Sequence, residues 1–242
     1  MSKYWDVGEN YTQISTEELK RKALESTQSA AKKGRVLEPV AINGRQICKS
    51  WWGQAWCSNL EQYADYGSRL DRGKRYVRSG AVIDLKIQNG KILSRVQGTR
   101  KTPYKVEIHI SPLSEERCQE IIEKCANKIE NLEELITGHF PPELEELFIG
   151  KGGLFPTPQE ISFQCSCPDW ALMCKHVAAT LYGVGARLDE NPFLFFHLRG
   201  IDVERFIDVT LNNKVETMLA NADKKSERII EEDDVMKLFG VL

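Results

Sequence analysis

A chain of 242 residues, 41% hydrophobic and 28% charged, has the composition of an ordinary folded protein and is long enough for one large domain or two small ones. Met1–Asn10 carries Lys3 and Asp6 without an apolar stretch, which argues against a secretory leader, and the longest near-apolar run, Val177–Ala186, is about half of a membrane span. A net charge of −2 hides an asymmetry: residues 1–110 hold 20 Lys and Arg against 11 Asp and Glu, and residues 111–242 hold 13 against 24. The stretch Arg69–Lys105 alone has 11 basic and 2 acidic residues, a concentration that points toward polyanions.

In chain order, Ser15-Thr-Glu-Glu18 is a capping-box pattern and Gly34 a stop, which predicts a helix over Thr16–Lys33 with a thin apolar stripe of Leu19, Ala23 and Ala30. A connector follows through Cys48, extended around Val36–Val40. Trp52, Trp56, Leu60 and Tyr63 recur at helical spacing, so Trp51–Tyr66 reads as an amphipathic helix whose tryptophans belong to the core rather than to a base-stacking platform. Next comes an antiparallel meander. Ile83, Leu85 and Ile87 alternate, Asn89-Gly90 is a hairpin turn, Ile92, Ser94 and Val96 follow, and Tyr104, Val106, Ile108 and Ile110 alternate again. Its polar face is predicted to show Lys86, Gln88, Arg95, Gln97 and Lys105, with Arg69, Arg72, Lys74, Arg75, Arg78, Arg100 and Lys101 on flanking loops. These basic residues, Gln88 and Gln97 aside, form the candidate nucleic-acid surface.

Pro112–Phe148 reads as helical, with Ser114 as a cap, Cys118, Ile121, Ile122, Cys125 and Ile129 on one face, a continuation at Leu132–Ile136 and a short helix at Glu143–Phe148. Gly150–Pro158 is a Gly/Pro linker that lacks the Gly-Lys-Ser/Thr of a phosphate-binding loop.

The most informative stretch is Cys165-Ser-Cys167-Pro-Asp-Trp-Ala-Leu-Met-Cys174-Lys-His176, preceded by a strand-like run, Glu160–Gln164, and followed by a helix-like one from Val177. Residues i and i+2 of a strand point the same way, so Cys165 and Cys167 can grip one ion, and Pro168-Asp169 turns the chain so that Cys174 and His176 meet it from the other side. Three thiolates and an imidazole complete a tetrahedral set suited to one structural Zn2+, with no position left for water or substrate. Three of the seven cysteines and one of the four histidines fall within these twelve residues, which argues against an incidental group of core side chains. Cys48, Cys57, Cys118 and Cys125 are left over; absent an export signal they are expected to be reduced, and the protein cytoplasmic.

Beyond the site, Asn191-Pro192 opens a Phe-rich turn. A helix over Asp202–Ala220 offers Val203, Phe206, Ile207, Leu211 and Met218 for burial, with the zinc unit as its target. Asn221–Asp234 reads as an acidic, flexible arm. Val235, Leu238, Phe239 and Leu242 then lie on one helical face, either as a partner-docking motif or as an element folded back on this chain's own core.

The spacing C-x-C-x6-C-x-H before a helix resembles the SWIM zinc finger, found in bacterial proteins associated with SWI/SNF-type helicase-like ATPases, in Mutator-type transposases and in some eukaryotic regulators. The likeness to full-length bacterial SWIM proteins extends to Trp51-Trp52-Gly53-Gln-Ala-Trp56-Cys57, Leu70-Asp-Arg-Gly73, Val96-Gln-Gly98, Leu154-Phe155-Pro156, Leu181-Tyr-Gly-Val-Gly185-Ala-Arg187-Leu and the ending Asp234-Val-Met-Lys-Leu238-Phe239-Gly240. The resemblance implies a zinc-binding adaptor for DNA or protein, with an ATPase as partner and no established reaction.

The expected fold is α+β: an N-terminal antiparallel β meander packed with helices, then a helical region carrying a small ββα-like zinc finger. Its parts are an N-terminal helix and connector (1–50), a basic β module with the Trp-rich helix (51–110), a helical linker region (111–150), the finger (151–190), C-terminal helices (191–221) and the acidic arm (222–242). The expected function is a zinc-binding adaptor that contacts nucleic acid, DNA foremost, or a protein partner, without catalysis. A pure protein-interaction module is the alternative. A zinc-dependent enzyme ranks behind both, because no nucleophile–base pair, H-E-x-x-H or phosphate loop occurs, and His109, His139 and His197 read as structural or exposed.

Overall fold

The computed structural model describes residues 14–128, 144–150 and 152–222. The predicted Leu132–Ile136 helix, His139, and the motif of Val235, Leu238, Phe239 and Leu242 lie outside the described residues. The fold is α+β, an antiparallel four-stranded sheet packed with helices. The sheet runs β1 (Val82–Gln88), β2 (Lys91–Val96), β3 (Tyr104–Ile110) and β4 (Ile161–Cys165) in that spatial order. Gly90, at φ 64°, closes the β1–β2 hairpin in the left-handed region that Asn-Gly turns need. The strand leading into the cysteines therefore extends the meander: Val106 pairs with Cys165 and Ile110 with Ile161.

A central helix, α6 (Lys175–Glu190), lies against one face of this sheet and is buried from His176 through Ala186. A helix apolar nearly all round needs cover on every side. Helices α2 (Trp51–Glu61) and α3 (Gly67–Arg78) supply it together with the sheet. Trp52 and Trp56 are buried and donate their indole N–H groups to Leu188 O and Leu181 O, each at 3.0 Å. Their helical spacing marks them for the core, and the hydrogen bonds remove the cost of burying the polar end. Trp56 also meets Phe155 and Phe195 edge-on at 5.9 and 5.8 Å. Phe148 of the short helix α5 (Glu145–Ile149) joins this group.

Helix α1 (Thr16–Lys32) forms as predicted: Ser15 Oγ accepts the Glu18 N–H at 3.1 Å, and Leu19 and Ala23 are buried. It sits beside β1, and its Ser26 donates to the side chain of Gln97, just past the end of β2, at 2.6 Å. Helix α4 (Glu115–Lys128) buries Cys118, Ile121, Ile122 and Cys125. A short α7 (Leu194–Leu198) builds the Phe-rich turn, and α8 (Val203–Ala222) follows. The fully buried Arg199 fixes the turn between them, donating to Ser111 O at 2.8 Å and to Glu160 at 2.5 Å.

Four local expectations need correction. The predicted Trp51–Tyr66 helix stops at Glu61, and the basic stretch after it is helix α3 rather than loop, so Arg69, Arg72, Lys74, Arg75 and Arg78 are helical. Its apolar stripe, Gly73, Tyr76 and Val77, is too narrow to stand out beside five cations. A register shift between Val82 and Asp84 separates Ile83 from Leu85, so these two do not share a face. Gln97 is buried, not displayed, because its amide donates to Gly98 O and Arg100 O. Finally, α8 packs on α4 and buries Phe206, while Leu211 and Met218 stay exposed.

Helix α3 approaches α6 closely through Gly73. A Cβ there would lie 2.6 Å from Ala178 Cβ and 3.0 Å from the Ala179 nitrogen. Overpacking of this kind costs about 1–3 kcal/mol, so Gly73→Ala is expected to lower the melting temperature by roughly 3–10 °C despite alanine's better helix propensity. Adding Ala178→Gly should recover part of the loss, and thermal melts of the single and double variants check both statements.

Candidate metal centre and basic cleft

Cys165 closes β4, and Ser166 ties the chain to β3 by donating its N–H to Lys105 O at 3.0 Å while its hydroxyl accepts the Lys105 N–H at 2.9 Å. Cys167 follows, and Pro168 turns the chain away from the sheet. The loop that returns to α6 is held from the α2–α3 connection: Asp65 accepts the N–H groups of Leu172 at 2.9 Å and Met173 at 3.3 Å. Asp169 accepts the Ala171 N–H and forms a two-pronged ion pair with Arg69 at 3.0 and 3.2 Å. Cys174 is the N-cap of α6, in extended backbone, and His176 lies in its first turn.

The result is a compact cluster. One ligand atom each from Cys165, Cys167, Cys174 and His176 lies within 4.8 Å of all the others, and His176 Nδ1 is 3.8 Å from Cys165 Sγ and 3.9 Å from Cys174 Sγ. With zinc–sulfur and zinc–nitrogen bonds of about 2.3 and 2.05 Å, a tetrahedral shell of three sulfurs and one nitrogen has edges of about 3.6–3.8 Å. The cluster can hold a metal ion. Among the described residues no other group of three or more such side chains comes together in this way.

The donor chemistry fits. Hydrogen bonds with Cys167 and Cys174 push the Cys165 thiol far up, and bonds with Cys165 and Cys174 draw Cys167 far down. Thiols packed this closely share few charges until a cation lets all ionise. Burial holds His176 below the usual imidazole range, in the neutral form that coordinates. The N-terminus of α6 and Lys175 add positive potential at the sulfurs.

His176 is clasped by two aromatic rings that also carry cations. Tyr104 stacks on it at 4.1 Å and Tyr76 meets it edge-on at 5.6 Å. The Arg100 guanidinium lies over Tyr104 at 5.3 Å and that of Arg75 over Tyr76 at 6.0 Å. Nε2 of His176 is buried without a hydrogen-bond partner, against Gly98, where an added Cβ would come within 3.3 Å.

Beside the cluster opens a cleft of about 580 Å³ whose described lining carries Arg69, Arg72, Arg75, Arg100 and Lys175 against one carboxylate, Asp169. Arg69 is the residue that Asp169 neutralises. The structure thus brings together four of the ten predicted basic residues. The others lie elsewhere. Lys74 turns to Glu61 at 2.9 Å and to the Tyr182 ring, Arg78 is exposed at the end of α3, and Lys101 lines a groove beneath α1. On the polar sheet face, Lys86 and Arg95 are each 3.7 Å from an acid, Glu38 and Asp84, with Lys105 beside them.

Sequence reasoning passes over two aromatics at the mouth of this cleft. Trp170 is 81% exposed and meets Tyr66 edge-on at 5.8 Å. Its loop neighbours Ala171 and Met173 are buried, so the sequence gives no sign that Trp170 is left in solvent.

No family model matches this chain, and no solved structure does. Over 160 residues the chain is 37% identical to Uncharacterized protein Rv2102 of Mycobacterium tuberculosis, a match that covers 65% of this chain and 57% of that protein. The chain therefore spans little more than half the length of that relative. No helix among the described residues is long and apolar enough to cross a membrane.

Because the cluster joins the end of β4 to the start of α6, removing one donor acts on both. Cys174→Ala should abolish stoichiometric metal binding and lower the melting temperature by more than about 10 °C, since structural metal binding is itself folding free energy. Elemental analysis and circular dichroism of the variant check this.

Proposed function

We propose that this chain is a zinc-binding adaptor of the SWIM kind that contacts nucleic acid, DNA foremost, at the cleft beside its metal centre and has no catalysis of its own. The observation that carries the reading is the composition of that cleft, five cations against one carboxylate, with walls formed by the metal-binding loop and α3. Lysine and arginine arranged in this way provide affinity for phosphates that does not depend on sequence. Zinc suits three thiolates and one imidazole better than a harder cation does, and four protein donors leave no position for substrate. Such a site needs reduced thiols, which fits a cytoplasmic protein.

A specific observation favours a second reading, an adaptor for protein alone. Helix α8 exposes Leu211, Val215, Met218 and Leu219, at i, i+4, i+7 and i+8. Under either reading the SWI/SNF-type ATPase implied by the sequence resemblance is the candidate partner.

Fluorescence anisotropy with labelled DNA and RNA of mixed sequence separates the two. The wild type is expected to bind all of them at low salt with a steep salt dependence. Reversing Arg72, Arg75 and Arg100 to Glu should weaken binding at least about tenfold for every sequence and reduce the salt slope by about 3. Wild-type protein that binds neither polymer at low salt would remove the nucleic-acid reading.

A further inference from the structure

Trp170 is the least explained large side chain near the metal centre. It is 81% exposed, yet the backbone around it is held on both sides. Cys167 and Cys174 bracket it, and Asp65 and Asp169 hold the N–H groups of Ala171, Leu172 and Met173. An indole kept in water on a fixed loop adds nothing to the core, and a loop fixed in advance lowers the cost of ordering on binding. Tyr66 stands edge-on to it, and the Arg69 guanidinium lies 5.9 Å from the Tyr66 ring centre. Of the cations, Arg69, Arg72 and Arg75 are half-buried along the cleft, and Arg100 is exposed at its edge. At Thr99 and Arg100 the cleft meets a second groove of about 720 Å³, whose lining includes Lys22, Lys33, Arg35, Arg95 and Lys101.

We propose that this surface takes single-stranded nucleic acid, with an unpaired base stacked on Trp170 and the following phosphates led through the cleft past Arg72, Arg75 and Arg100 toward the second groove. The inference rests on the nucleic-acid reading above and specifies its substrate. A duplex hides the faces of its bases, so an exposed ring can stack only on an unpaired one. A duplex also presents its phosphates on a convex rod, whereas a flexible strand can follow cations set inside a cleft. Aromatic stacking beside a basic track is the arrangement by which proteins hold single strands without reading sequence.

The test measures anisotropy for labelled 12-mers of oligo(dT), oligo(dA) and oligo(rU) and for a 12-base-pair duplex, using the full chain at low and moderate salt. Wild-type protein should bind the single strands at least about tenfold more tightly than the duplex. Trp170→Ala should weaken single-strand binding about tenfold, leave the salt slope and the duplex affinity unchanged, and keep wild-type metal content and melting temperature, because the side chain is in solvent. Trp170→Phe should restore most of the loss. Relative affinity for oligo(dT) and oligo(rU) assigns DNA or RNA as the preferred strand. Equal affinity of the wild type for strand and duplex, or a Trp170→Ala variant that binds single strands as the wild type does, overturns this inference while leaving the broader reading standing. Absence of any binding overturns both.

Discussion

The fold depends on one helix being buried on nearly all sides. Helix α6 offers apolar or small residues all round from His176 to Ala186, so sheet, α2 and α3 must close over it, and each closure has a consequence at its first turn. The sheet brings the end of β4, with Cys165 and Cys167, to the place where Cys174 and His176 begin the helix. Helix α3, drawn against Ala178 by Gly73, brings a row of arginines alongside. The metal cluster and the basic cleft are thus two results of the same packing.

Their adjacency has an electrostatic logic. With a divalent ion bound, three thiolates and a neutral imidazole would carry a formal charge of −1, which the N-terminus of α6, Lys175 and the nearby guanidinium groups would offset. The aromatic clasp on His176 adds a contact path, since Tyr104 and Tyr76 each touch the imidazole and each also lie near an arginine, Arg100 and Arg75. The residues that could hold the ion and the arginines of the cleft are therefore one contact apart, through Tyr76 and Tyr104.

Much of this is legible in the chain. The ligand set rests on spacing alone, because C-x-C at a strand end and C-x-H at a helix start are local geometries. The β meander and the core role of Trp52 and Trp56 follow from periodicity that a buried face imposes. What sequence cannot supply is tertiary. Helix α3 escapes notice because its stripe is narrow and its contact is a glycine, which registers as a breaker until its neighbour is known. The separation of Ile83 from Leu85 depends on a single register shift, and burial of Gln97 depends on carbonyls of the loop that follows it. The basic residues look like one surface in sequence, but the fold divides them among a cleft, a groove and a sheet face. Exposure of Trp170 depends on how the loop is pinned by Asp65 and Asp169, a tertiary matter.

The candidate metal centre is where β4, α6 and the basic cleft meet. X-ray absorption at the zinc edge, with elemental analysis, on protein purified under reducing, chelator-free conditions tests it most directly. The predicted result is one zinc per chain with three sulfurs at about 2.3 Å and one nitrogen at about 2.0–2.1 Å. Metal-free protein that is folded, or a shell containing a water or carboxylate oxygen, would contradict it.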